Sequence, residues 1–233
     1  MRFNDPPDVD IDTPHFRGRL SNGLLTLEPK EHFESEAELR PLADDFVRGW
    51  EITAGMQSDR PVFDFRFEGS NIKDRNPTPG TATAHLTNHM HASDTVQTER
   101  SAATYPTPPQ DFRLTPEVEV LWNRYCRFLE GGELLLSMGY FCLTFLESRF
   151  LGGDKRRQAA NHYDIDFDVL DKLGDLTSTR GDHTTARKAS PATTPLSDGE
   201  TAWINAAIKA IIKHLATRQL GQSLTMTDLP SLT

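Results

Sequence analysis

The sequence predicts an α+β protein, with a small N-terminal antiparallel sheet carrying one helix, followed by an all-α helical bundle. Three observations lead there. Before residue 105 apolar and polar residues alternate over short runs, the period of half-buried strands. After residue 115 the apolar residues recur every three or four positions over long runs, the period of helices. Between these regions, Tyr105-Pro106-Thr107-Pro108-Pro109 is stiff and cannot pair in a sheet, which places a boundary between an antiparallel β-rich region, 1–113, and a helical domain, 114–233.

The first 14 residues are rich in Asp and Pro and are expected to be extended. Two short apolar runs, 16–20 and 24–27, flank Ser21-Asn22-Gly23. Asn-Gly between such runs signals a hairpin, because both residues tolerate positive φ. Leu39, Leu42, Ala43, Phe46 and Trp50 are spaced along one helical face. That helix starts either at Ser35, which forms a capping-box spacing with Glu38, or near Pro41. Phe63, Phe65 and Phe67 alternate with polar neighbours and predict a strand over 61–68; a second is expected over 81–91 and a weaker one over 95–102.

Beyond the boundary, Thr115-Pro116 supplies an N-cap and a proline at the first helical position. Val118, Leu121, Trp122, Tyr125, Cys126 and Leu129 follow on one stripe, and Gly131-Gly132 ends the helix. Residues 133–151 are apolar on nearly all sides, which predicts the central helix of the bundle. Shorter helices are expected over 155–163 and 167–176. Ser197-Asp198-Gly199-Glu200 forms a capping box before Trp203, Ala207, Ile208, Ile211, Ile212 and Leu215, giving about five helices in all. Residues 174–195 contain eight Ser or Thr residues and no periodicity, and read as a long loop of the kind that is usually functional or mobile.

The net charge of −9 is concentrated early, where residues 1–113 carry 12 basic against 19 acidic side chains. An acidic chain has no long-range attraction to nucleic acid, which argues against a general nucleic-acid binder and leaves only a focused basic site. The most apolar window, 134–146, is too short to span a bilayer, and the N-terminus has no signal-peptide pattern. With Cys126 and Cys142 the only cysteines, both at apolar helical positions, reduced thiols in a cytoplasmic protein are expected.

The candidate site is the segment Arg180-Gly181-Asp182-His183-Thr184-Thr185-Ala186-Arg187-Lys188, with Lys155, Arg156 and Arg157 at a neighbouring helix start. Arg offers a planar fork to phosphate, Lys a point charge, and His a proton donor or acceptor near neutrality. The opposing reading is a solvated loop whose arginines pair with Asp175 and Asp182 or cap helix ends.

A bundle with an apolar second helix, a short segment carrying Arg and His, and a long last helix resembles the HEPN-type all-α domain over about 115–220. The likeness is one of layout. Active members of that family carry an Arg, a polar neighbour and a His four to six residues on, and cleave RNA without a metal. By that resemblance Arg180 and His183 would be catalytic and no metal would be involved; the segment's own concentration of positive charge makes Arg180, Arg187 and Lys188 the expected anion or phosphate contacts, and no cofactor is expected. Here only two residues separate Arg180 from His183, and the neighbour is Gly181. Many members of the family are non-catalytic binding modules.

His85, His89 and His91 share strand parity, and His89 and His91 are spaced like a metal-binding pair. Exposed positions alternating with a core face explain them equally, so no metal site is expected. Asp164, Asp166 and Asp168 imitate the start of an EF-hand, but Val169 stands where that loop needs Gly, and a helix N-terminus is the better account. The reading favoured by sequence is therefore a non-catalytic binding or interaction module. It would self-associate through its helical domain, or bind RNA or another anionic ligand at 180–188, without a membrane. The alternative is a HEPN-like, metal-independent ribonuclease.

Overall fold

The chain is α+β and divides into two units, Met1–Leu114 and Thr115–Thr233. The computed structural model describes residues 2–3, 6–58, 64–72, 84–91, 101–102, 104–181, 194–217 and 222–232.

The first unit runs β1 (Arg2–Phe3), β2 (Val9–Asp12), β3 (Phe16–Ser21), β4 (Leu24–Pro29), α1 (Glu36–Ser58), β5 (Asp64–Ile72), β6 (Ala84–His91) and β7 (Ser101–Ala102). Five strands form one antiparallel sheet in the order β2-β3-β4-β6-β5, and β1 and β7 make a separate parallel pair. Asn22 and Gly23 take φ of 50° and 77°, so the β3–β4 connection is a two-residue turn of the hand that fits twisted strands. The Gly23 N–H donates to the Tyr105 hydroxyl at 2.9 Å, tying the turn to the far end of the unit. Phe16, Leu20, Leu25 and Leu27 from the sheet bury against Leu39, Ala43, Val47, Trp50 and Ala54 of α1.

Helix α1 begins after Ser35, whose Oγ accepts from the Glu38 N–H at 3.3 Å. The Glu38 carboxylate reaches back to the Glu34 N–H at 3.0 Å. Pro41 therefore lies inside the helix, where its missing N–H removes one early backbone bond. Leu42, expected on the buried stripe, is 37% exposed. Strand β5 extends beyond the predicted 61–68, because a bulge between Phe67 and Gly69 lets pairing with β6 continue to Ile72. Phe65 and Phe67 are half-buried on it, as their alternation predicts.

The second unit contains α2 (Pro116–Leu129), α3 (Leu135–Glu147), α4 (Lys155–Tyr163), α5 (Phe167–Thr179), α6 (Asp198–Thr217) and a short 3-10 helix, Met226–Asp228. The Thr115 Oγ1 accepts from the Val118 N–H at 3.3 Å and Pro116 opens α2, both as the sequence predicts. Helix α3 packs on α2, α4, α5 and α6, which is why it is apolar all round. It is shorter than the predicted 133–151, since the Ser148 Oγ and N–H turn back onto the Phe145 carbonyl. Trp203, Ile204, Ala207, Ile208, Ile211 and Ile212 of α6 are buried. The tail returns at Leu224, which bridges to Ile165 and is buried with Leu229.

Residues 174–179, read as the start of a loop, are the last turns of α5. Their polar side chains stay helical by bonding backward. The Thr177, Ser178 and Thr179 hydroxyls donate to the carbonyls of Leu173, Gly174 and Asp175 at 2.7, 2.6 and 2.8 Å. Among the described residues, no helix is long and apolar enough to cross a membrane.

Candidate functional site

Of the segment 180–188, the structure describes Arg180 and Gly181; His183, Arg187 and Lys188 lie outside the described residues. Arg180 leaves α5 in an extended conformation and forms a parallel bridge with Thr194, and the Gly181 N–H donates to the Thr194 carbonyl at 3.0 Å. These contacts bring the chain on either side of 182–193 together, immediately before α6.

The Arg180 side chain is committed at this point. Its Nε donates to Glu200 Oε1 at 2.8 Å, with the two side chains 31% and 15% exposed. Glu200 also completes the predicted capping box. Its Oε2 accepts from the Ser197 N–H at 3.0 Å, while the Ser197 Oγ accepts from the Glu200 N–H at 3.1 Å. The Ser197 N–H, first, and the Arg180 guanidinium hold the Glu200 carboxyl below the usual glutamate range.

The basic cluster at the start of α4 is likewise engaged within the unit. Arg156 donates to Glu147 at 3.2 Å and to Asp171 at 2.8 Å, so it joins α3, α4 and α5, and its guanidinium lies across Gly174. Arg157 donates to Asp154 at 3.1 Å and covers the Phe167 ring at 4.3 Å. Lys155 is exposed. Asp166, part of the EF-hand imitation, accepts from the Asp168 N–H at 3.2 Å as the N-cap of α5.

His85, His89 and His91 occupy β6, opposite Asn71, Arg66 and Asp64 of β5; their side chains lie outside the described residues. Among the described residues, no group of three His, Cys, Asp or Glu side chains is arranged to hold a metal ion. Cys142 is fully buried, and burial pushes its thiol up to about 12.

Among the described residues, two hollows open on the helical unit. One, of about 400 Å³, is lined by Arg124, Arg127, Gly132, Glu133, Leu134 and Ser137. Arg124 is spent there on Glu133, to which its Nε donates at 2.8 Å, and on the face of Phe141 at 3.9 Å. The other, of about 410 Å³, lies along the α4–α5 turn, Asp164, Ile165 and Asp166, beside Ser223 and Thr225.

One cluster is invisible to sequence reasoning. Arg149, in the α3–α4 connection, meets His162 and Tyr163 at the end of α4 and Glu117 at the start of α2. No local spacing announces it, because its members are brought together by helix packing. The partial signal is Gly152-Gly153, a turn tight enough to fold α4 back toward the end of α3. No protein-family model matches the chain, nor does any curated protein or solved structure.

Proposed function

We propose that this chain is a non-catalytic binding or interaction module, with the helical unit as the part that meets a partner or a second copy. The observation that carries this reading is the Arg180–Glu200 pair. A phosphodiester-cleaving Arg must present open donors to the scissile phosphate, whereas Arg180 gives Nε to a carboxylate that is also the cap of α6. Recruiting Arg180 to a substrate would cost that ion pair and loosen the cap. The close spacing of Arg180 and His183 in sequence points the same way.

The test is incubation of the full chain with single-stranded RNA at low salt, followed by product analysis, with light scattering for self-association. No cleavage is expected. Turnover that disappears in His183→Ala while the fold persists would sink the non-catalytic reading and establish the ribonuclease alternative. Binding of RNA at 180–188 would be recognised by a steep loss of affinity between about 50 and 200 mM salt.

A further inference from the structure

Of the eight asparagines in the chain, Asn22 alone is followed by glycine. That pair forms the β3–β4 turn, with both residues at positive φ and Asn22 exposed. The Gly23 backbone nitrogen is the atom that can close a succinimide ring on the Asn22 carboxamide carbon, and glycine has no Cβ to hinder the approach. The ring closes only after that nitrogen has lost its proton. In the fold the proton is engaged, because the Gly23 N–H donates to the Tyr105 hydroxyl at 2.9 Å.

The acceptor is itself held in place. Tyr105 is 7% exposed and belongs to the buried cluster that includes Leu20, Leu25 and Trp50. One residue on, the Pro106 carbonyl accepts from the Trp50 Nε1–H at 3.1 Å, which ties the backbone carrying the tyrosine to α1. A proton in a hydrogen bond to a fixed, buried group is removed only through local opening, the event that also limits amide hydrogen exchange.

We propose that Asn22 is a deamidation site and that the Tyr105 hydroxyl guards it. When their contact opens, hydroxide takes the Gly23 N–H proton and the nitrogen attacks the Asn22 side-chain carbonyl carbon. The new N–C bond forms, the bond from that carbon to the side-chain nitrogen breaks, and ammonia leaves a succinimide in the chain. Water then opens the ring at one carbonyl or the other, giving aspartate or isoaspartate with no change in oxidation state. Aspartate before glycine still suits the turn. Isoaspartate adds a methylene to the backbone of a tight connection, which disturbs the pairing of Ser21 with Leu24 and hence the β3–β4 register. The site draws on the first unit alone, so its failure would leave the reading of the helical unit untouched.

The experiment incubates the full chain in neutral buffer and follows the peptide containing Asn22 by mass spectrometry, with chromatography to separate aspartate from isoaspartate. Conversion at Asn22 is expected, slow in the folded chain, faster in urea, and rising with pH. Asn22→Gln, which lengthens the ring that must close, should stop it. Tyr105→Phe deletes the acceptor and keeps the ring, so the folded variant should deamidate about two- to tenfold faster than the wild type, the factor that one lost hydrogen bond supplies. Should that variant fail to fold, hydrogen exchange of the wild type decides, and the Gly23 amide should exchange more slowly than in an unstructured peptide of the same sequence. No conversion in urea would remove the site. Equal rates in the folded wild type and folded Tyr105→Phe, a folded chain that deamidates as fast as in urea, or an unprotected Gly23 amide would each overturn the guarding role.

Discussion

Arg180 Nε and the Ser197 N–H donate to opposite oxygens of the same Glu200 carboxylate, at 2.8 and 3.0 Å. One side chain thereby caps α6 and anchors the residue from which 182–193 departs. The candidate anion contact of the sequence is, in the fold, part of a helix cap. Its energetic consequences can be separated from any role in binding.

Arg180→Ala should destabilise the helical unit by about 1 kcal/mol, a charge-assisted hydrogen bond discounted for partial exposure. The Glu200 carboxyl is held low by the Ser197 N–H and then by Arg180. Folding therefore favours its ionised form, and that stabilisation is complete above the unfolded value, near about 4.3. It is lost as pH falls through the lower folded value. Urea denaturation across the acid range should show a shallower decline for Glu200→Gln than for the wild type. Identical acid limbs, with an unmoved midpoint in Arg180→Ala, would show that the pair contributes nothing.

Much of the scaffold was legible because its signals are local. Asn22-Gly23, Thr115-Pro116 and the Ser197–Glu200 box each act within four residues, and each does in the structure what its chemistry dictates. Errors arose where one local signal competed with another. The Thr177-Ser178-Thr179 run looks like a loop by composition, but its hydroxyls are absorbed by the helix they extend. The start of α1, by contrast, is left open by sequence between Ser35 and Pro41, and the cap at Ser35 decides it, early enough for the helix to absorb the lost bond. The candidate site was less legible. The partner of Arg180 is twenty residues away and the cluster at Arg149 draws on α2, α4 and the α3–α4 connection, so neither exists until the bundle closes.

Cys142 should resist alkylation in the folded protein. The thiolate is the reactive form, and a thiol pushed up to about 12 is almost wholly protonated at pH 8 as well as inaccessible. Mass spectrometry after iodoacetamide treatment should find it unmodified under native conditions and modified in urea. Native labelling at the rate of a free thiol would mean that α3 is not packed as described.

The last prediction sets two effects on one residue against each other. Gly139 lies within α3, where replacement by Ala raises helix propensity by up to about 1 kcal/mol. It also lies where three helices approach most closely, because an added Cβ would stand 2.9 Å from Thr177 Cγ2 of α5 and 3.2 Å from Ile204 Cγ2 of α6. Overpacking of this kind costs about 1–3 kcal/mol, so Gly139→Ala should be net destabilising by about 1–2 kcal/mol. Gly153, with no neighbour around its Cβ position, should tolerate Ala within about 0.5 kcal/mol. The decisive variant adds Thr177→Ser, which deletes the methyl that the new Cβ meets and keeps the hydroxyl bonded to the Leu173 carbonyl. The double variant should be more stable than the sum of the two single effects by about 0.5 kcal/mol or more, the mark of side chains in contact. Strict additivity would mean that α3 and α5 do not meet at these residues, and the close packing of the central helix would have to be abandoned.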